Sequence, residues 1–300
     1  MRFEFERTFG VEIELLARYS GETLISMLND KLADQDMHFR SASWSDRSNS
    51  WRIKSDSSLR GTGEYDGYEI VTPILEGQTG FNQLHKLLLT IQDINQNASR
   101  LGEAPVFRIN RSCGLHVHWG VSDWKIKHFR NLYKRYLKFE TAIDSIMAPS
   151  RRRNNNEYCA SLLTRLNNYV EHGDEGNPEV IFKRIDQSRT ASQIRNLFNT
   201  RYMKLNIESF WNHGTIEFRH HSGTFDVTKV IAWVFLTGAM VRAADVQRGI
   251  RSGVDNLNQM NSKFMMMFNG LCKVHEDLAV FKTFYKDRIK SLREINRRES

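Results

Sequence analysis

Hydrophobic and polar residues alternate along several short stretches of the chain, and a period of two predicts β-strands there. In Val11-Glu12-Ile13-Glu14-Leu15 the apolar side chains leave one face and two carboxylates leave the other. Leu115-His116-Val117-His118-Trp119 repeats the device with two imidazoles, and Ile216-Glu217-Phe218-Arg219 repeats it with a carboxylate and a guanidinium. Glu69, between Tyr68 and Ile70, is a further candidate for the polar face. Placed in one sheet, such strands make one face packed core and the other a cluster of carboxylates, imidazoles and arginine. That combination suits divalent metal and phosphate.

The remaining pattern supplies the frame. The alternation at the N-terminus predicts a strand over residues 2–16, with Phe3, Phe5, Phe9, Val11, Ile13 and Leu15 apolar. Leu24, Ile25, Leu28 and Leu32 recur at helical spacing and predict a helix over 20–36. Trp51–Ser55 and Tyr65–Thr72 read as paired strands around a glycine-rich connection closed by Pro73. Helices are expected over 79–95, 123–146, 227–248, 257–268 and 276–298, the last of them basic. Residues 148–200 change character: Arg151-Arg152-Arg153 follows Pro149, and Gly173–Pro178 is rich in turn formers, so a loop with short helices is expected. Tyr202–Phe210 and Thr215–His221 read as a hairpin around Asn212-His213-Gly214. Strands mixed with helices, without a βαβ series, argue an α+β fold. The expected organisation is one domain over 1–250, with 150–200 as a loop or flap insertion, and a helical extension over 251–300.

Composition narrows the partners. The 43 Lys+Arg outnumber the 35 Asp+Glu, a net charge of +8, which favours anionic partners. Three widely spaced cysteines, Cys113, Cys159 and Cys272, form no C-x-x-C pair, so neither a disulfide framework nor a zinc ribbon is expected. The first residues lack the apolar run of a secretory signal, and Val230–Val241 is shorter than the roughly 20 residues a membrane span takes. The expected setting is cytoplasmic. There is no G-x-x-x-x-G-K-S/T, H-E-x-x-H or G-x-S-x-G, and Gly61-Thr62-Gly63 lacks the third glycine of a dinucleotide fingerprint.

Five segments carry a resemblance: Phe9-Gly10-Val11-Glu12-Ile13-Glu14, Lys54-Ser55-Asp56-Ser57-Ser58-Leu59, Tyr68-Glu69-Ile70-Val71-Thr72-Pro73, Ser112-Cys113-Gly114-Leu115-His116-Val117-His118 and Gly214-Thr215-Ile216-Glu217-Phe218-Arg219. Their types and order resemble the amidoligase family of the glutamine synthetase-like carboxylate–amine ligases, over roughly residues 5–245. The resemblance implies a curved, mostly antiparallel sheet packed with helices, its active site on the concave face. It implies metal ligation by Glu12, Glu14, Glu69, His116 and Glu217, with Arg219, His118 and Glu69 in catalysis. Arg219 and His118 would also face phosphate, and the resemblance implies ATP with Mg²⁺ or Mn²⁺ as cofactors. Here Ser57 stands where the family has the glycine of Asp-Gly-Ser, so Asp56 is read as orienting rather than ligating.

The implied reaction is ATP-dependent: phosphorylation of a carboxylate, then attack by an amine to form an amide. The partners expected are small-molecule or peptide carboxylates and amines, and the basic charge adds a nucleic-acid-linked substrate to the candidates. Arg151 and Arg152 fit either a phosphate clamp or a solvated surface run, and Lys204 and Asn206 fit a substrate or nucleotide contact. Of His220 and His221, at most one faces the cleft. Two further readings use the same residues. One is a metal-dependent phosphoesterase or nuclease that activates water; the other is a binding module without turnover.

Overall fold

The alternation near the N-terminus becomes strand β1, Phe9–Ala17, in the computed structural model of the chain, which describes residues 1–163, 178–246 and 260–299. Phe9, Val11, Ile13 and Leu15 are all buried on its core face. The predicted strand start at residue 2 is corrected: Phe3 and Phe5 are outside any strand, although both are buried. Their alternation serves ring packing instead. Phe3 stacks on Phe81 at 5.1 Å, and its N–H donates to the Gln78 side chain at 2.9 Å.

The chain divides into two units, residues 1–118 with 222–233, and residues 119–221 with 234–300. In the first, β1 leads into α1 (Gly21–Leu32), whose first turn is capped by Ser20. β2 (Phe39–Ser41), β3 (Trp51–Ser55), β4 (Asp66–Val71), α2 (Gly77–Arg100), β5 (Phe107–Arg108) and β6 (Gly114–Gly120) follow. The strand order is β2-β3-β4-β1-β6, with β5 also on β1. The β1/β4, β1/β5 and β3/β4 pairings are antiparallel, and β2/β3 is parallel. The expected pairing of the 51–55 and 65–72 strands is therefore present.

Register decides what the polar face holds. Glu14 pairs with Glu69, and Glu69 with Lys54; Glu12 and Arg52 both pair with Val71. Directly opposed residues share a face, so these side chains emerge on one side of the sheet. Leu16 continues the same row and ends it in a small apolar cluster with Leu59, Tyr65 and Cys113. The polar cluster thus has a dry neighbour at one end.

The second unit is mostly helical. α3 (Ile126–Asp144), a short 3₁₀ turn at Pro149–Arg151, α4 (Pro178–Gln187) and α5 (Ala191–Phe198) precede β7 (Leu205–Asn206), α6 (Glu208–His213) and β8 (Thr215–Ser222). α7 (Val227–Val246) begins in the first unit and continues into the second, where α8 (Met260–Cys272), a 3₁₀ turn and α9 (Lys282–Glu299) follow. The short helices expected within 148–200 are present, and the Gly173–Pro178 break falls, up to residue 177, outside the described residues.

The hairpin is corrected in part. β7 and β8 pair antiparallel as expected, but β7 is two residues long and a helix connects them. The Asn206 carboxamide accepts the Glu208 N–H at 2.8 Å, which turns the chain into α6; Gly214, at φ 66°, ends it. The apolar stretch read over 230–241 also grows, into the 20 residues of α7. By length and composition alone α7 could cross a bilayer, yet 78% of its most apolar stretch is buried within the protein, so it is read as a core helix.

β6 is seated by a glycine. The Gly223 N–H donates to the Cys113 carbonyl at 2.7 Å, and a Cβ built there would stand 2.5 Å from Cys113 Cβ. Gly223→Ala is expected to cost about 1–3 kcal/mol through overpacking, read as a lower urea midpoint; an unchanged midpoint would show that the strand entry yields freely.

Candidate functional site

Five of the predicted site residues meet in the first unit. Glu12 and Glu14 stand on β1, Glu69 on β4, and His116 and His118 on β6, because the period of two puts each on the polar face. His116 is buried between the β1 carboxylates: its Nδ1 lies 3.1 Å from Glu12 Oε2 and its Nε2 lies 3.5 Å from Glu14 Oε1. His118 Nε2 lies 3.4 Å from the other Glu12 oxygen. Glu14 Oε2 accepts the Gly114 N–H at 2.5 Å, which ties β1 to the start of β6.

The electrostatics of the cluster are lopsided. Burial works to raise the Glu12 carboxyl, but His118 and His116 outweigh it and hold it well below the ordinary carboxylate range. Glu69 goes the other way. Burial pushes it well above that range, the Glu12 charge adds to the rise, and Lys54 offsets only part. Among the described residues Glu69 Oε2 is buried without a hydrogen bond, and Lys54 Nζ stands 3.6 Å away.

This arrangement fits a divalent cation. Glu14, Glu69 and His116 each offer a ligand atom, all three atoms lie within 4.8 Å of one another, and all three residues are buried. A metal there would supply the positive charge that lets Glu69 ionise and the partner its buried oxygen lacks. Oxygen donors with one imidazole suit Mn²⁺ and, with less ease, Mg²⁺.

A model of the family described as "Putative amidoligase enzyme" matches residues 5–241. The chain belongs to this amidoligase family. A comparison with curated protein sequences finds no match. Among solved structures, the amidoligase is similar to a chain in the complex between the prokaryotic ubiquitin-like protein Pup and its ligase PafA, at 10% identity and a TM-score of 0.43, over 98% of this chain and 65% of that one. It is similar to glutamate–cysteine ligase from Francisella tularensis in complex with AMP, at 11% identity and a TM-score of 0.42, over 98% and 82%. A bifunctional glutathione synthetase from Pasteurella multocida follows at 9% identity and a TM-score of 0.41, over 95% and 50%. The chain thus spans just under two thirds of the first of these chains and half of the third.

The other predicted residues lie in the second unit. On β8 the Arg219 guanidinium donates to Glu217 Oε1 at 2.5 Å, and Asn206 donates to the other Glu217 oxygen at 2.6 Å. Arg219 Nε also reaches the Tyr158 carbonyl at 3.4 Å. Arg151 is buried rather than solvated, close enough to Cys159 to hydrogen-bond it, and Arg152 Nε donates to the Met147 carbonyl at 2.9 Å.

Lys204 corrects a sequence expectation. It has 0% exposure and is ion-paired to Glu140 at 3.1 Å and Asp144 at 2.7 Å, so it contacts no substrate. The same network contains His220, whose Nε2 lies 2.7 Å from Asp144 and whose Nδ1 lies 2.6 Å from the Tyr136 hydroxyl. Burial, with Lys204 nearby, brings His220 down to about 4, so it is neutral at neutral pH. Its Nε2–H then donates to Asp144, and its Nδ1 accepts from Tyr136. Burial opposes the Asp144 charge, but His220 and Lys204 bring the carboxyl down to about 2. With His220 uncharged, Lys204 is the cation that matters there at neutral pH.

Sequence reasoning missed two groups. Arg52 and Lys54 share the polar face of β3, and their i, i+2 spacing was visible in the strand read over 51–55. Tyr136, Glu140 and Asp144 recur every four residues on α3, a polar row inside the helix expected over 123–146.

Lys204→Met would strand Glu140 and Asp144 without their cation and is expected to cost about 3–5 kcal/mol in urea unfolding; a cost near zero would mean the pair is solvated. His220 adds a pH dependence. Its folded pKa lies below the unfolded 6.5, so the unfolded chain takes the proton first. Stability present above 6.5 is expected to fall as the pH drops toward 4, and His220→Gln is expected to flatten that slope.

Proposed function

We propose that the protein is an ATP-dependent carboxylate–amine ligase that forms an amide through an acyl-phosphate. Membership of the amidoligase family supports the reaction class. The observation that carries the reading is the buried Glu14–Glu69–His116 cluster with an unsatisfied Glu69 oxygen, a donor set for Mg²⁺ or Mn²⁺. The family resemblance adds Glu12 and Glu217 as metal carboxylates. Bound metal would neutralise phosphate charge, the chief demand of phosphoryl transfer.

The chain's own residues have separable tasks. Glu14 holds β1 against β6 with one oxygen and turns the other to His116, so ligand positions are fixed in advance. The carboxylates of Glu12 and Glu14 orient the His116 ring from both sides. His118 faces the phosphates, and its contact with Glu12 sets its ring. Arg219, whose fork is already engaged by Glu217, stabilises charge on the transferred phosphoryl group. Arg151 and Arg152 serve that same charge from the segment after Pro149. ATP gives its γ-phosphoryl to the substrate carboxylate, releasing ADP; the amine then attacks the acyl carbon, and inorganic phosphate leaves. The substrates are a small-molecule or peptide carboxylate and an amine, in a cytoplasmic setting.

Calorimetry with ATP and Mn²⁺ tests the reading. Wild type is expected to bind ATP only with metal present, and the Glu12→Ala/His116→Ala double variant is expected to lose that binding. Folded wild-type protein that ignores ATP with Mn²⁺ present would sink the ligase reading. Metal-dependent cleavage of nucleic acid or phosphoesters would put a hydrolase in its place.

A further inference from the structure

Strand β3 brings two cations to the edge of the carboxylate cluster. Lys54 sits opposite Glu69 in the β3/β4 register, and Arg52 precedes it on the same face. Lys54 is only 7% exposed, yet among the described residues its ammonium makes no hydrogen bond. Its one charged contact is Glu69 at 3.6 Å, long for a charge-assisted hydrogen bond, which runs to about 2.9 Å. Arg52 Nε is likewise buried without a hydrogen bond, while its NH1 donates to the Asp46 carbonyl at 2.8 Å. Over the ammonium lies the Trp44 ring, 5.3 Å from Nζ and 52% exposed, so the lysine sits beneath an accessible rim.

Holding a largely buried lysine with its ammonium unbonded is costly, and the site gives it a reason. Glu69 is a ligand in the metal reading, so a bound cation would draw on the carboxylate that Lys54 now faces. A lysine left beside a metal needs another acceptor, and the acceptors that a divalent site attracts are oxyanions. We propose that Lys54, assisted by Arg52, is the oxyanion-binding flank of this centre. It takes the phosphate or carboxylate oxygens of the substrates beneath Trp44. The proposal rests on the ligase reading of the same site and adds a residue pair to it.

The test is calorimetry on the full chain with Mn²⁺ alone, then with inorganic tripolyphosphate or glutarate in the presence of Mn²⁺. Lys54→Gln is expected to bind Mn²⁺ at least as tightly as wild type, since a repelling charge is gone. It is expected to bind one of the two anions about tenfold more weakly, the loss of a hydrogen bond to a charged group. Lys54→Arg should retain the binding, and Arg52→Gln, at a less buried position, should weaken the same anion. Loss on tripolyphosphate assigns the flank to phosphate, and loss on glutarate assigns it to the substrate carboxylate. Metal and anion binding weakened together in Lys54→Gln would mean a structural role and overturn the proposal. Anion binding that neither glutamine variant disturbs would overturn it while leaving the ligase reading intact. Wild type that binds neither anion would overturn the proposal, while the ligase reading stands or falls on metal-dependent ATP binding.

Discussion

Carboxylates in a buried space repel one another, and the polar face of this sheet is arranged around that repulsion. Antiparallel register sets Glu14 beside Glu69, and the β-strand period adds Glu12 two residues away. Nothing local relieves all three. His116 and His118 satisfy Glu12, a backbone N–H satisfies one oxygen of Glu14, and Glu69 is left to burial and a distant lysine. A fold that only needed stability would place apolar residues there. In the proposed function, that imbalance is what a bound cation would relieve.

The second unit handles buried charge in the opposite way. Lys204, Glu140, Asp144, His220 and Tyr136 form a closed set in which each side chain meets a partner at 3.1 Å or less. The Leu162 and Arg153 backbone amides also donate to Glu140 and Asp144. These bonds fasten the segment that carries Arg151 and Arg152 onto α3. One polar cluster is self-satisfied and structural, and the other is incomplete. That contrast separates the two clusters more clearly than burial does.

Much of the first cluster was legible in the sequence because a strand converts spacing into geometry with little loss. Glu12, Glu14, His116 and His118 needed only the period of two, and Trp51–Ser55 was read at its observed bounds. The α+β class and the main helices followed from periodicity in the same way. What failed depended on side chains whose partners are distant in sequence. Phe3 alternates like a strand residue but packs on Phe81, with Phe5 against Phe3; the hairpin failed for a local reason instead, since Asn206 caps the turn two residues on. Lys204 looked like a substrate or nucleotide contact because its acids sit some 60 residues earlier on another element. Lys54 was overlooked although its strand was correct, since its meaning lies in facing Glu69 across a register that spacing alone does not give.

The bond from Glu14 to the Gly114 amide makes side-chain length a ruler. One oxygen is committed to the backbone of β6 and the other reaches His116, so the two tasks are spanned by a single carboxylate on a fixed number of methylenes. An aspartate at this position keeps the charge and loses the reach, and must give up either the strand or the imidazole. Glutamine keeps the reach and loses the charge. The demand on this position is therefore metric as much as chemical, and neither conservative replacement meets both halves of it.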